Sequence, residues 1–146
     1  MEIKILKFGD DLWDPAAEYA KNCSWKAGPA LAKQMLENGF SDWQRVFIAL
    51  EGQHIAGFCT LAATDVVPDV SYTPYIGFVF VGEEYRGRRL SEQMIKFALA
   101  YAKNIGFNEV YLVSREEGLY EKYGFVKIDQ RKNKTGDDDQ IFRIII

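Results

Sequence analysis

Apolar positions in this chain come in short blocks, separated by glycine, proline and acidic turns, and their period changes along the sequence. Ile3, Ile5 and Phe8 predict a first strand over Glu2–Phe8. Asp14-Pro15 and Gly28-Pro29 each put proline where a helix begins, and the second helix carries Leu31, Met35 and Leu36 before Gly39. Arg45–Leu50 and Ile55–Ala63 are apolar-rich strands joined by a hairpin turn, Glu51-Gly52-Gln53-His54, which leaves His54 an exposed turn residue. Thr64–Thr73 is polar and holds Pro68, so it reads as a loop. Tyr75–Val81 is apolar at odd and even positions alike, the mark of a central strand covered on both faces, and Gly77 suggests a bulge or a close approach within it.

From Arg88 to Ile105 the period becomes helical. Leu90, Met94, Phe97, Ala98, Tyr101 and Ile105 make one core stripe, stopped at Gly106 and followed by a strand at Glu109–Val113. Strand, helix and strand in that order predict a right-handed crossover between parallel neighbours. Ser114 and Glu117 match a capping box for a short helix through Tyr123. Phe125–Gln130 and Gln140–Ile146 are the last strands, on either side of the charged turn Arg131–Asp139. The apolar tail Ile141–Ile146 needs a strand or a second copy of the chain against it, since a bare apolar edge invites aggregation. These elements predict a single α/β domain over residues 1–146: a mixed sheet with antiparallel N-terminal strands and one parallel crossover, flanked by helices.

Composition narrows the function. With 48% hydrophobic and 27% charged residues, the chain has the make-up of a soluble globular domain. A net charge of −3 gives no basic face for nucleic acid, and no apolar run approaches the roughly 20 residues of a membrane span. The N-terminus Met1-Glu-Ile-Lys does not begin a signal peptide, so Cys23 and Cys59 are expected to be reduced thiols of a cytoplasmic protein. His54 is the single histidine, and no metal-ligand spacing occurs.

One segment breaks a local rule. Arg86-Gly87-Arg88-Arg89 opens a helix directly after the central strand. Helix N-termini carry unsatisfied N–H groups and partial positive charge, so they disfavour cations. A bound multivalent anion would compensate. An ion-pair patch, with Glu83 and Glu84 screening the arginines, would also account for them. Neither the P-loop motif nor the dinucleotide-binding glycine fingerprint is present.

The loop Arg86-Gly87-Arg88-Arg89-Leu90-Ser91, the signature Tyr120-Glu121-Lys122-Tyr123-Gly124-Phe125 and the element order together resemble the GNAT superfamily of acyl-CoA-dependent N-acetyltransferases, over essentially the whole chain. Arg89 and Ser91 stand where that family usually has glycine and glycine or alanine, and Val113-Ser114 where it often has asparagine. The resemblance implies that backbone amides of Arg86, Gly87, Arg88, Arg89, Leu90 and Ser91 bind the pyrophosphate of acetyl-CoA, the co-substrate. It implies that Val79, Phe80 and Val81 pair with the pantetheine arm. It implies that Tyr120 meets the departing sulfur as a primary amine attacks the thioester directly. The acceptor would be a small-molecule or peptidyl amine, with Glu83, Glu84, Asp65 and Asp69 as candidate bases. A non-catalytic coenzyme A-binding domain, or an interaction domain whose arginines meet an acidic partner, are the rival readings. The aromatic residues Trp13, Trp25, Trp43 and Tyr72 either line an amine pocket or belong to the core.

Overall fold

The computed structural model describes residues 1–65, 71–133 and 135–146. Its elements run β1 (Glu2–Leu6), α1 (Trp13–Asn22), α2 (Gly28–Leu36), β2 (Arg45–Glu51), β3 (His54–Ala62), β4 (Tyr75–Val81), α3 (Leu90–Asn104), β5 (Glu109–Ser114), β6 (Val126–Lys132) and β7 (Asp138–Ile145). Seven strands form one mixed sheet in the order β1-β2-β3-β4-β5-β7-β6. The first four pair antiparallel in succession, and β4 and β5 are the parallel pair, joined through α3. The expected mixed α/β sheet with one crossover is therefore present.

The two faces of the sheet carry separate cores. β2 shows why: its buried residues alternate, with Val46, Ile48 and Leu50 packed towards α1 and α2 and Phe47 and Ala49 towards α3. Burial of both faces fits a strand that reads as a continuous apolar run. No helix among the described residues is long and apolar enough to cross a membrane.

Several boundaries differ from the sequence reading. β1 ends at Leu6, because the Lys7 N–H donates to the Asp10 side chain in a turn and Phe8 is exposed. Asp14 lies inside the first turn of α1, whose cap is Leu12. His54 pairs with Glu51 at the start of β3, so the hairpin turn is shorter than expected. Phe97 and Ile105 lie on the exposed flank of α3, while Ile95 and Ala102 join Leu90, Met94 and Ala98 in the core. Ser114 accepts the Glu116 N–H in a bend, and only Tyr120–Tyr123 forms a 3-10 turn, so no capped helix starts at Ser114. β7 is longer than expected and lies between β5 and β6, so the backbone edges of the apolar tail are paired within the chain, while Ile145 stays exposed.

Gly57 shows how tightly β3 and β4 are set against α3. A Cβ there would come within 2.5 Å of the Phe80 carbonyl oxygen and 3.2 Å of Met94 Cε. Overpacking of this kind costs about 1–3 kcal/mol, and the close atom is backbone, which cannot swing aside. Gly57→Ala is expected to lower Tm by roughly 5 °C, read by thermal denaturation. An unchanged Tm would mean that β4 shifts freely at this point.

Candidate functional site

β4 and β5 pair only at Tyr75–Tyr111 and Ile76–Leu112, although β4 continues to Val81 and β5 to Ser114. Beyond that register the two strands part, and a cleft of about 910 Å³ opens between them. Val79, Phe80 and Val81 form its wall on the β4 side, and Leu112, Val113 and Ser114 on the β5 side. Arg86, Ser91 and Tyr120 also line it.

A bulge shapes β4 at this point. The β3–β4 register slips between Phe58–Phe80 and Thr60–Gly77, which puts one extra residue on β4. The left-handed residue is Phe78, at φ +48°, one position beyond the glycine that the sequence singled out. Gly77 lies in a tight space instead. A Cβ there would lie 3.0 Å from Asp65 Oδ2 and 3.4 Å from Thr60 Oγ1.

The loop after β4 ties each of its arginines to a neighbouring group. Arg86 Nε donates to the Val81 carbonyl at 3.0 Å, and its guanidinium lies over the Phe80 ring. Arg88 pairs with Glu51 at 3.1 Å and lies over Tyr85. Arg89 meets Glu92 through two nitrogens, at 2.8 and 3.2 Å. An ion-pair patch therefore exists, but its carboxylates are Glu51 and Glu92 rather than Glu83 and Glu84. The Leu90 side chain is buried in the core against the sheet.

What the loop presents at the start of α3 is backbone. Gly87 and Arg89 are both left-handed, at φ +84° and +58°, and α3 begins immediately after them. First-turn N–H groups have no partner within a helix, and left-handed residues beside helical ones curl amides into an anion-binding concavity. A multivalent anion fits this donor set without help from the arginine side chains.

Arg89 holds, at some cost, a conformation that suits glycine. Two substitutions separate backbone from charge. Arg89→Gly relieves the left-handed strain and Arg89→Ala retains it, while both remove the pair with Glu92. The glycine variant is expected to be the more stable by about 1 kcal/mol, or roughly 2–4 °C in Tm. Equal Tm values would mean that the loop relaxes out of the left-handed region.

The signature after β5 has a direct physical reading. Tyr120–Tyr123 is a single 3-10 turn closed by Gly124 at φ +99°. The Phe125 N–H reaches back to the Tyr120 carbonyl at 3.1 Å, and the Phe125 ring is buried. Glycine sets the chain direction and phenylalanine anchors it, which holds Tyr120 against the cleft. Tyr120 is 8% exposed, and no hydrogen bond holds its hydroxyl among the described residues. Burial, reinforced by the nearby Glu116 charge, pushes its pKa well above the usual phenol value. Tyr123 has its hydroxyl 3.0 Å from Ser91 Oγ and so ties this turn to the first turn of α3.

Of the candidate carboxylates, Asp65 and Glu83 line the cleft, joined by Glu116. Glu84 faces a separate hollow beside α1, and Asp69 lies outside the described residues. Trp25 also lines the cleft, stacked 6.0 Å from Phe80, whereas Trp13 is core and its indole N–H donates to the Met35 carbonyl. Trp43 packs on Phe107, and Tyr72 donates to Asp129. Trp25 and Glu116 could not be assigned from the sequence, because neither belongs to a local motif.

Comparison with solved structures finds the same fold repeatedly. A GNAT family acetyltransferase from Elizabethkingia anophelis, determined with acetyl-CoA bound, superposes with a TM-score of 0.70 at 19% identity, covering 99% of this chain and 97% of that one. An aminoglycoside 6'-acetyltransferase type Ii gives 0.76 at 15% identity, with 99% and 97% covered. An aminoglycoside 6'-N-acetyltransferase complexed with coenzyme A gives 0.72 at 13% identity, again with 99% and 97% covered. A search of curated protein sequences finds no match. The sequence model of the acetyltransferase (GNAT) family, however, matches residues 8–125, which take in the parted strands, the arginine loop and the Tyr120 turn. On that match, in agreement with the fold, the chain belongs to the acetyltransferase (GNAT) family.

Proposed function

We propose that this protein is an N-acetyltransferase that moves the acetyl group of acetyl-CoA to a primary amine. The observation that carries this reading is the parting of β4 and β5 just before a helix N-terminus, with Tyr120 on the wall of the gap. The exposed edge at Val79–Val81 offers backbone groups to an amide-bearing arm, as a strand edge does to a partner strand. The amides from Arg86 to Ser91 take the pyrophosphate. Bound there, acetyl-CoA supplies a thioester activated for direct attack. Family neighbours determined with acetyl-CoA or coenzyme A support the assignment.

The reaction requires two protons to leave the acceptor nitrogen. An ammonium near pKa 10.4 loses the first to water through the open cleft before attack. The second leaves as the C–N bond forms and the C–S bond breaks, and balances the proton gained by the thiolate. Tyr120 acts by donating a hydrogen bond to the sulfur as its charge develops. Full transfer of the phenolic proton would be uphill by about 2 kcal/mol at ordinary pKa values, and burial of Tyr120 increases that gap. The unpaired Cys23 and Cys59 fit a cytoplasmic setting.

Thermal denaturation with acetyl-CoA, coenzyme A, ATP and NADPH side by side tests the reading. At 100 times its dissociation constant a ligand adds about 2.7 kcal/mol, so the coenzyme A pair is expected to raise Tm by several degrees and the others not. No rise with acetyl-CoA would overturn it.

A further inference from the structure

Two segments that no local motif joins meet through one pair of hydroxyls. Ser91 lies in the first turn of α3 and lines the cleft, and its Oγ is 3.0 Å from the Tyr123 hydroxyl on the turn after β5. Either oxygen can be the donor, and both side chains are half-buried, which shields the bond from water. A phenylalanine at position 123 would fill the same space without the link.

Tyr123 is also the ring beside Tyr120. The two meet edge to face with centroids 6.0 Å apart, and Phe125 and Phe142 pack on Tyr120 at 6.3 and 6.2 Å. Phe125 and Phe142 are buried, so the close-packed core fixes them. Tyr123 is only half-buried, and its outer end is held by Ser91. The Tyr120 hydroxyl makes no hydrogen bond among the described residues, so these three rings set its direction.

Resting on the acetyltransferase reading, we infer that Tyr123 is a positioning residue, whose hydrogen bond to Ser91 fixes the Tyr120 hydroxyl relative to the helix turn that takes the pyrophosphate. One bound molecule must satisfy both places. Its anion sits on α3, and its sulfur must meet Tyr120 on a separate segment of the chain. A donor stabilises developing charge from about 2.7–3.1 Å away, so a slip of about 1 Å between the segments forfeits most of the effect. Tyr123 touches neither sulfur nor phosphate in this role and acts through Tyr120.

The test needs no acceptor amine. A hydrogen bond from Tyr120 to sulfur favours the thiolate of bound coenzyme A. The phenol keeps its proton while the thiol ionises, because burial holds Tyr120 well above the usual phenol pKa. Thiolate absorbance near pH 7.5 is read for coenzyme A on the protein against desulfo-coenzyme A, which cancels the protein's own tyrosines and cysteines. Tyr120→Phe is expected to lower the thiolate fraction by about five- to tenfold. Tyr123→Phe and Ser91→Ala break the same bond from opposite sides. Each is expected to lower it by about two- to threefold, and the two together no further. Added to Tyr120→Phe, Tyr123→Phe is expected to change nothing, a cancellation that a merely structural role would not produce.

An unchanged thiolate fraction in Tyr123→Phe would overturn the inference alone. So would a loss that persists on top of Tyr120→Phe, or one that Ser91→Ala fails to reproduce. Thermal melts with coenzyme A check that each variant folds, and Ser91→Ala carries the same comparison if Tyr123→Phe does not. No loss in Tyr120→Phe would take Tyr120 away from the sulfur and the inference with it. Absence of any stabilisation of the wild-type protein by coenzyme A would remove the acetyltransferase reading itself.

Discussion

Tyr120→Phe is expected to lower kcat about 100-fold while leaving acetyl-CoA affinity and Tm unchanged. The kinetic loss is the usual size for removing one donor aimed at a charge that develops only in the transition state. Stability should hold for a structural reason. The Tyr120 hydroxyl has no hydrogen-bond partner among the described residues, so its removal orphans nothing, and the ring keeps its contacts with Tyr123, Phe125 and Phe142. Steady-state kinetics with a reactive amine, alongside a thermal melt, read both halves. An undiminished kcat would remove Tyr120 from the chemistry, and a lower Tm would mean that its role is structural.

The raised pKa adds a pH signature. Tyr120 ionises less readily folded than unfolded, so its contribution to stability is whole below pH 10 and is lost as pH rises through the folded value. Cys59, pushed by burial from 9.0 to about 12, begins the same loss one unit lower. Stability is therefore expected to fall from about pH 9 upward, and Tyr120→Phe to lessen but not abolish the part of that fall above pH 10, because Tyr75, pushed by burial to about 12, contributes to it as well. Catalysis should show no loss below pH 10 attributable to ionisation of Tyr120. An alkaline limb of kcat near pH 8–9 that disappears in Tyr120→Phe would contradict this.

The sequence carried the parts of the site that local rules govern. The Tyr120–Phe125 signature was legible through the family resemblance, because its turn, left-handed closure and anchor lie within six residues, but the capped helix expected from Ser114 is only a 3-10 turn at Tyr120–Tyr123. The apolar run Tyr75–Val81 identified the strand that forms one wall of the cleft for the same reason. Features set by residues far apart in the chain were not legible. Glu51 becomes the partner of Arg88 only because the β2–β3 hairpin reaches the end of β4, and sequence proximity pointed instead to Glu83 and Glu84. The bulge falls on Phe78, because neighbouring strands fix the slip in register, while Gly77 packs closely against the Asp65 and Thr60 side chains beside it. Arg89 adopts a glycine conformation with its charge on Glu92, an i,i+3 pair that the sequence does contain.

Ser91→Asp separates binding at the helix N-terminus from folding more sharply than any arginine substitution. Ser91 is in the first turn of α3, lines the cleft, and makes its hydroxyl contact with Tyr123. An aspartate in a first turn is favourable to the helix by about 0.3–1 kcal/mol, so the fold should not suffer. A pyrophosphate on the same amides would face that carboxylate. Two unit charges about 5 Å apart at an effective dielectric of 20 repel by roughly 3 kcal/mol, which corresponds to a loss in affinity of about two orders of magnitude. Ser91→Asn is the control. It too loses the contact with Tyr123 and matches aspartate in size, but adds no charge, and it should bind coenzyme A far more tightly than the aspartate variant. Calorimetric titration at low and high salt completes the argument, because repulsion across a partly exposed loop is screened and the gap between the variants should narrow as salt rises. Equal affinity of the two variants at low salt would show that the anion does not sit on the first turn of α3. The three arginines would then have to be its ligands, through side chains that now face Val81, Glu51 and Glu92.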